Sequence, residues 1–380
     1  MKRRDFIALG STLAALSPAR AGDRNSLHSE VESNRVDFIH DGKQLSPREY
    51  ASLLMQLAES DKIKPDYYSN GGVVEELENK FASLLGKESA VFMPTGTLAN
   101  HVAVRRLADK NRKIIVQEQS HFYNDSGDCA QTLSGLNLIP LGPGGVDFGL
   151  TEVEKIIDQA KKARVDTRLG VIAIETPVRR QSDRMFDENK LKTITDFART
   201  NGIKTHLDGA RIFIQALHSD KTPAHYGAMV DTIYTSLWKC FNAPSGAILA
   251  GSKEFTNGLF HERRMFGGSL PAAWPLAAIA LYYADGFLEE YRSAWVKSNQ
   301  FIEILKKQER LKPVFFEKGT HIIQLNVVHN NLSRFRESLL KKQIELGEPN
   351  ALGFLLRINP TMNRQTPEYL ASSFVEALKA

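Results

Sequence analysis

Four stretches of this chain carry side chains suited to chemistry, each at the end of an apolar run. Lys239 opens the turn-rich loop Lys239-Cys240-Phe241-Asn242-Ala243-Pro244-Ser245-Gly246, directly after the strand-like run Thr232 to Leu237. A lysine just past a strand end lies where open α/β sheets bind ligands. Once deprotonated, its amine can form a Schiff base with an aldehyde, although a lone lysine is more often a solvated surface charge. Asp208 ends the run Lys204 to Leu207. It could hold a pyridinium nitrogen in its protonated form, or it could cap a short helix from Gly209 to Leu217. His121 follows the run Lys113 to Gln117. It could stack on a planar ring, move protons, or be a partly buried structural histidine. Pro94-Thr95-Gly96-Thr97 stands between a strand and a helix. There Gly96 permits close backbone approach, Thr97 adds a hydroxyl, and free amides of the helix start favour an anion such as phosphate. A plain tight turn would read the same way.

Phosphate cup, ring-stacker, pyridinium acid and lysine, in that order on alternating strands, together describe the chemistry of pyridoxal 5'-phosphate (PLP). The elements that must position them alternate accordingly. The patterns predict strands at Ala90–Met93, Lys113–Gln117, Leu138–Leu141, Leu169–Glu175, Lys204–Leu207 and Thr232–Leu237. Helices are predicted at Pro47–Glu59, Val74–Leu85, Leu98–Leu107 and around Leu191–Ala198, and a capping box at Thr151-Glu152-Val153-Glu154 opens another to about Ala163. This alternation predicts an α/β fold with a mainly parallel sheet covered on both faces. After Gly251 come helices at Lys253–Arg264, Leu276–Tyr291 and Ala294–Gln308. Strands around Val314–Phe316, Ile322–Val328 and Phe354–Ile358, with helices near Ser333–Leu346 and Pro367–Leu378, predict a smaller α+β domain.

The 380 residues are 42% apolar, enough for a large core. The net charge is +5, of which residues 1–21 supply +3, so the remainder gives no case for nucleic acid or a membrane surface. Two cysteines, Cys129 and Cys240, make neither a disulfide framework nor a metal site. Lys2-Arg3-Arg4-Asp5-Phe6-Ile7, an apolar run to Leu16 and Ala19-Arg20-Ala21 predict a cleaved secretory signal over residues 1–21. The run is too short to span a bilayer as a mature helix. Arg3-Arg4 resembles the twin-arginine export signal, which implies a periplasmic product. The expected division is then signal 1–21, N-terminal arm and large PLP-binding domain 22–285, and small domain 286–380.

Several motifs resemble the threonine aldolase / β-eliminating lyase family. They are Thr95-Gly96-Thr97-Leu98-Ala99-Asn100, Ser120-His121, His206-Leu207-Asp208-Gly209-Ala210-Arg211-Ile212-Phe213, Ser236-Leu237-Trp238-Lys239 with Ala243-Pro244-Ser245-Gly246, and Phe266-Gly267-Gly268. The resemblance runs from about Val36 to the C-terminus. It implies a PLP-dependent transferase-like fold of the aspartate aminotransferase type, assembled as a homodimer or homotetramer with sites at the subunit interface. It also implies roles. Lys239 forms the Schiff base and later moves the α-proton, Asp208 pairs with the pyridine nitrogen, His121 stacks on the ring, and Gly96 and Thr97 hold the phosphate. Arg211 lies near the ring hydroxyl and the substrate, Arg357 takes the substrate carboxylate, and Tyr68 is presented near the site, from a partner subunit.

The departures fall on the substrate side. Ile39-His40-Asp41-Gly42 stands where the family has Arg-Ser-Asp-Thr, and Trp238 replaces the serine before the lysine. Gly267-Gly268-Ser269-Leu270-Pro271-Ala272 lacks the family's arginine and glutamine. Glu175-Thr176-Pro177-Val178 lacks its asparagine and histidine. The expected reaction is retro-aldol cleavage of a β-hydroxy α-amino acid to glycine and an aldehyde, with His121, or less favourably His40, as the base. Trp238 and Pro271 favour a larger or aromatic side chain. β-Elimination, racemisation or transamination on the same cofactor are alternatives, as is a non-catalytic exported binding protein on this fold.

Overall fold

The computed structural model describes residues 34–60, 63–165 and 167–379; the expected signal at 1–21 lies outside them. Residues Arg35 onward form one compact unit. It begins with β1 (Val36–Asp37), α1 (Pro47–Glu59), α2 (Gly72–Leu84), β2 (Ser89–Met93), α3 (Gly96–Ala108) and β3 (Lys113–Gln117). Next come α4 (His121–Asn124), α5 (Cys129–Ser134), β4 (Asn137–Leu141), α6 (Leu150–Lys161), β5 (Leu169–Glu175), α7 (Glu188–Thr200) and β6 (Lys204–Asp208). After α8 (Ile212–His218) and α9 (Pro223–Met229) the chain forms β7 (Thr232–Ser236), α10 (Leu237–Cys240) and β8 (Ala247–Gly251).

These strands build one seven-stranded sheet in the order β2-β8-β7-β6-β5-β3-β4. From β7 to β4 every pairing is parallel, whereas β8 runs antiparallel to both its neighbours. Every residue of β5, β7 and β8 is buried, as strands covered on both faces must be. β8 was not expected, because Ala247 to Gly251 carries too little β-branched character to stand out as a strand; two flanking partners bury it instead.

The rest of the chain is α11 (Lys253–Thr256), α12 (Leu259–Met265), α13 (Trp274–Leu305), β9 (Leu311–Phe315), β10 (Ile322–Val327), α14 (Leu332–Leu340), β11 (Ile344–Glu345), β12 (Gly353–Arg357) and α15 (Pro367–Ala377). β9, β10 and β12 form an antiparallel sheet, and β1 pairs in parallel with β11. Val36 and Phe38 therefore pack in the same cluster as Phe301, Phe335, Phe354 and Phe374 near the other end of the chain.

Four expected boundaries shift. The helix expected near Ser333–Leu346 ends at Leu340, because Ile344–Glu345 is taken up as strand β11 beside β1. The two helices expected between Leu276 and Gln308 are one, α13, since Arg292 and Ser293 do not stop a helix whose two ends are each anchored in a core. The helix expected at Lys253–Arg264 is two, parted at Gly258, whose φ of 77° leaves the helical region. The start of α6 lies two residues earlier than expected: Gly149 is the cap, and in place of a full capping box only Glu152 accepts from the Gly149 N–H, at 2.8 Å. Among the described residues, no helix is long and apolar enough to cross a membrane.

Candidate active site

The site lies at the C-terminal ends of the parallel strands β3, β5, β6 and β7. Glu175, Asp208 and Tyr234 stand side by side in register across β5, β6 and β7. Beyond β7 the chain turns at once into α10, which carries Lys239. Beyond β2, Thr95 caps α3 through its hydroxyl, accepting from Leu98 N at 3.2 Å. Gly96 and Thr97 are thus the first helical residues rather than loop, and their N–H groups have no intrahelical acceptor. A Cβ at Gly96 would lie 2.0 Å from the Tyr234 hydroxyl, so only glycine lets α3 start against β7.

Asp208 is not a helix cap: α8 begins at Ile212, and the Asp208 carboxylate looks instead to α3. Asn100 Nδ2 donates to Asp208 Oδ2 at 2.6 Å. Asn100 Oδ1 in turn lies 2.8 Å from His206 Nε2, and His206 Nδ1 lies 2.8 Å from Thr232 Oγ1. All four residues are buried. Burial pushes His206 down to about 4, so it is neutral at physiological pH. A carboxylate only accepts, which fixes the Asn100 amide and makes Nε2 the protonated nitrogen of His206. Every donor in the chain Thr232–His206–Asn100 then points toward Asp208.

Lys239 is buried, and burial, helped by the Arg211 charge, lowers its amine to about 8. That brings the reactive neutral amine within reach near neutral pH. His121 is the first residue of α4, with its N–H donated to Glu175 Oε2 at 2.5 Å. Its Nδ1 is buried without a partner among the described residues, and burial lowers its pKa. Burial and the neighbouring Asp208 push Glu175 up to about 8, against the pull of N–H donors from Arg179 and His121.

Arg211 and Arg357 converge on two aspartates. Asp41 accepts from Arg211 Nε at 2.9 Å, and Asp183 accepts from Arg357 Nη1 at 2.8 Å. His321 Nε2 is 2.9 Å from Asp41. Burial raises the Asp41 carboxyl, but Arg211 and His321 outweigh it and hold it well below the usual carboxylate range. Asp41, Asp183 and His321 are close enough together for a metal ion, yet the two guanidinium groups already neutralise those oxygens.

Two other predicted residues lie outside these bonded groups. His40 is bound to Asp37 at 2.6 Å, which raises its pKa. Tyr68 packs its ring 5.1 Å from the Arg264 guanidinium, in a loop with φ of 51° that Arg263 pins through the Tyr68 and Ser69 carbonyls. Sequence reasoning missed Asp183 and His321 as site residues, because nothing near them in the chain marks them. Asn100, His206 and Asp41 lay within recognised motifs, but only their side-chain partners reveal what they hold. Gly42 had no assigned role either; a Cβ there would meet the Lys239 carbonyl at 2.3 Å, so the N-terminal arm closes directly onto the lysine turn.

A family model described as beta-eliminating lyase matches residues 58–331. The chain belongs to the β-eliminating lyase family. It is 28% identical over 232 residues to the low-specificity L-threonine aldolase of Saccharomyces cerevisiae, covering 60% of this chain and 59% of that one. It is 24% identical over 272 residues to the alanine racemase TOXG of Cochliobolus carbonum, covering 69% and 67%. A solved threonine aldolase of Leishmania major superposes with a TM-score of 0.68 at 16% identity, covering 90% of this chain and 98% of that one. The matched part spans between 59% and 65% of the length of the first curated relatives.

PLP is the cofactor of this β-eliminating lyase family member, and the residues present fit it. The unpaired N–H groups at the start of α3 suit a phosphate, and the Ser236 hydroxyl, without a partner among the described residues, lies at the end of β7. His121, with its unpartnered nitrogen, is available to a ring, Asp208 to the ring nitrogen and Lys239 to the aldehyde. Bound there, the cofactor supplies an electron sink for a bond broken at the amine-bearing carbon.

Proposed function

We propose that the chain is a PLP-dependent lyase that cleaves a β-hydroxy α-amino acid to glycine and an aldehyde. The observation that carries this reading is the placement of a buried, readily deprotonated Lys239 among Asp208, His121 and Arg211, with Arg357 joined to Arg211 through the shared Asp41 and Asp183. In this reading Arg357 binds the substrate carboxylate, a task its planar fork suits. Lys239 moves the proton at the α-carbon. His121, kept neutral by burial, takes the proton of the β-hydroxyl. The Trp238 ring lies 5.7 Å from Lys239 Nζ and offers apolar surface suited to a larger or aromatic side chain, the side-chain class that Pro271 in place of the family's polar residues also favours. Assembly is as a homodimer or homotetramer, with Tyr68 offered to a neighbouring copy's site.

Which bond breaks depends on orientation and on the nearby acid or base. A product analysis decides it. The PLP-loaded protein is incubated with a panel of β-hydroxy amino acids, and glycine, ammonia with keto acid, and inversion are each read out. Glycine with aldehyde, lost in His121→Ala and Arg357→Ala, supports the aldol reading. Ammonia and keto acid without glycine replace it with elimination. Inversion alone replaces it with racemisation, a reading favoured by the likeness to the alanine racemase TOXG. A protein that takes up no PLP overturns the lyase reading and leaves the alternative of a non-catalytic binding protein on this fold.

A further inference from the structure

Arg357 arrives at the site already engaged. Its Nη1 donates to Asp183 Oδ2 at 2.8 Å and to Asp41 Oδ1 at 3.3 Å. The other guanidinium, Arg211, is within 2.8 Å of Asp41 and 3.4 Å of Asp183. Two carboxylates thus meet two guanidinium groups, and neither arginine keeps an uncompensated charge for an incoming anion. Asp41 alone could brace one arginine; it is Asp183 that makes up the balance.

Asp183 is built in firmly. It follows the short turn Arg179–Gln181, with φ of 52° after Ser182 at 56°. Its N–H donates to the Val178 carbonyl, and its own carbonyl accepts from Thr320 Oγ1 at 2.7 Å. The side chain is completely buried, and its Oδ1 has no hydrogen-bond partner among the described residues. A buried carboxylate with one oxygen unpaired is costly and is not placed for stability alone. The loop that carries it starts at Thr176-Pro177-Val178, where the motif of the related aldolases is rewritten.

We propose that Asp183 is a specificity-determining residue that competes with an incoming α-carboxylate for Arg357, so that glycine, which has no side chain to add contacts, binds weakly while the Asp183 charge is present. This rests on the reading of Arg357 as the carboxylate-binding arginine. A purely orienting role for Asp183 has the opposite consequence: loss of its charge would loosen Arg357 and weaken binding.

The test titrates PLP-loaded protein with glycine and, separately, with methylamine, which lacks the carboxylate, following the visible absorbance. Asp183→Asn keeps the shape and an acceptor for Arg357, and asparagine tolerates the left-handed backbone. Asp183→Gly, also suited to that backbone, serves if the first variant does not fold. The expected result is glycine binding tighter by about tenfold in either variant, with methylamine unchanged. The gain should vanish when Arg357→Ala is added. Glycine affinity unchanged or weakened, equal tightening of methylamine, or a gain that survives Arg357→Ala overturns the proposal. If neither the parent protein nor the variants respond to glycine or methylamine while retaining PLP, the amino-acid reading itself falls, and the inference with it.

Discussion

Asn100 Nδ2 and Asp208 Oδ2 are 2.6 Å apart, joining helix α3 to the end of strand β6. The helix that offers its first N–H groups to a phosphate therefore also steadies, one turn later, the carboxylate meant for the ring nitrogen. In the proposed binding mode one rigid element would set both ends of the cofactor. Behind Asn100 the neutral His206 and Thr232 complete a chain of hydrogen bonds in which each member strengthens the next.

Asn100→Ala removes the donor to Asp208 and the acceptor for His206 at once. PLP affinity should fall by about tenfold or more, the usual effect of losing a buried hydrogen bond to a charged group. Equilibrium dialysis measures the affinity, and a pH titration of the visible band separates this effect from simple loosening. Thr232→Ser, which keeps the hydroxyl, should bind PLP like the parent. An Asn100→Ala protein with unaltered affinity and titration would mean that the contact is structural only.

The Lys239 amine, lowered to about 8 by burial and Arg211, is mostly protonated below that pH and mostly neutral above it. The rate at which apo protein captures PLP should rise about tenfold per pH unit up to pH ~8 and then level off. Stopped-flow absorbance follows it. Lys239→Ala should show no band that borohydride removes. A rate still climbing steeply at pH 10 would place the amine at its ordinary, exposed value instead.

Arg263 is among the largest fully buried side chains of the described residues, and its guanidinium binds the carbonyls of Phe92, Tyr68 and Ser69. Arg263→Ala strands these acceptors in the interior and should cost about 3 kcal/mol or more of stability. Urea unfolding monitored by circular dichroism measures it. A loss below about 1 kcal/mol would show that water reaches the carbonyls.

We propose that Arg3-Arg4 and Ala19-Arg20-Ala21 direct export to the periplasm with removal of residues 1–21. Cell fractionation should find the double variant Arg3→Lys, Arg4→Lys uncleaved in the cytoplasm. Normal export of that variant would rule out the twin-arginine route.

Much of the scaffold was legible because its signals are local. The buried runs of β5, β6 and β7 alternate with amphipathic helices, and Lys239, Asp208, His121 and Gly96 each sit immediately beyond or between such runs. Because β2, β3, β6 and β7 all run in one direction, these residues meet at one end of the sheet, beyond the strands' C-termini. β8 was missed because antiparallel pairing on both sides makes it a strand, and α13 was divided because its continuity depends on packing against both cores.

By itself the sequence determined the alternation of strands and helices and the residue types at the strand ends, which are enough for the fold class and for PLP. Only the tertiary structure decided the charge balance around Arg357, since Asp41, Asp183, Arg211, His321 and Arg357 come from segments as far apart as 316 positions in the chain. Only it decided that Asn100 and His206 serve Asp208. The physical reason is that hydrogen bonds and ion pairs act over a few ångströms, and no periodicity in a chain records which distant side chains folding brings within that reach.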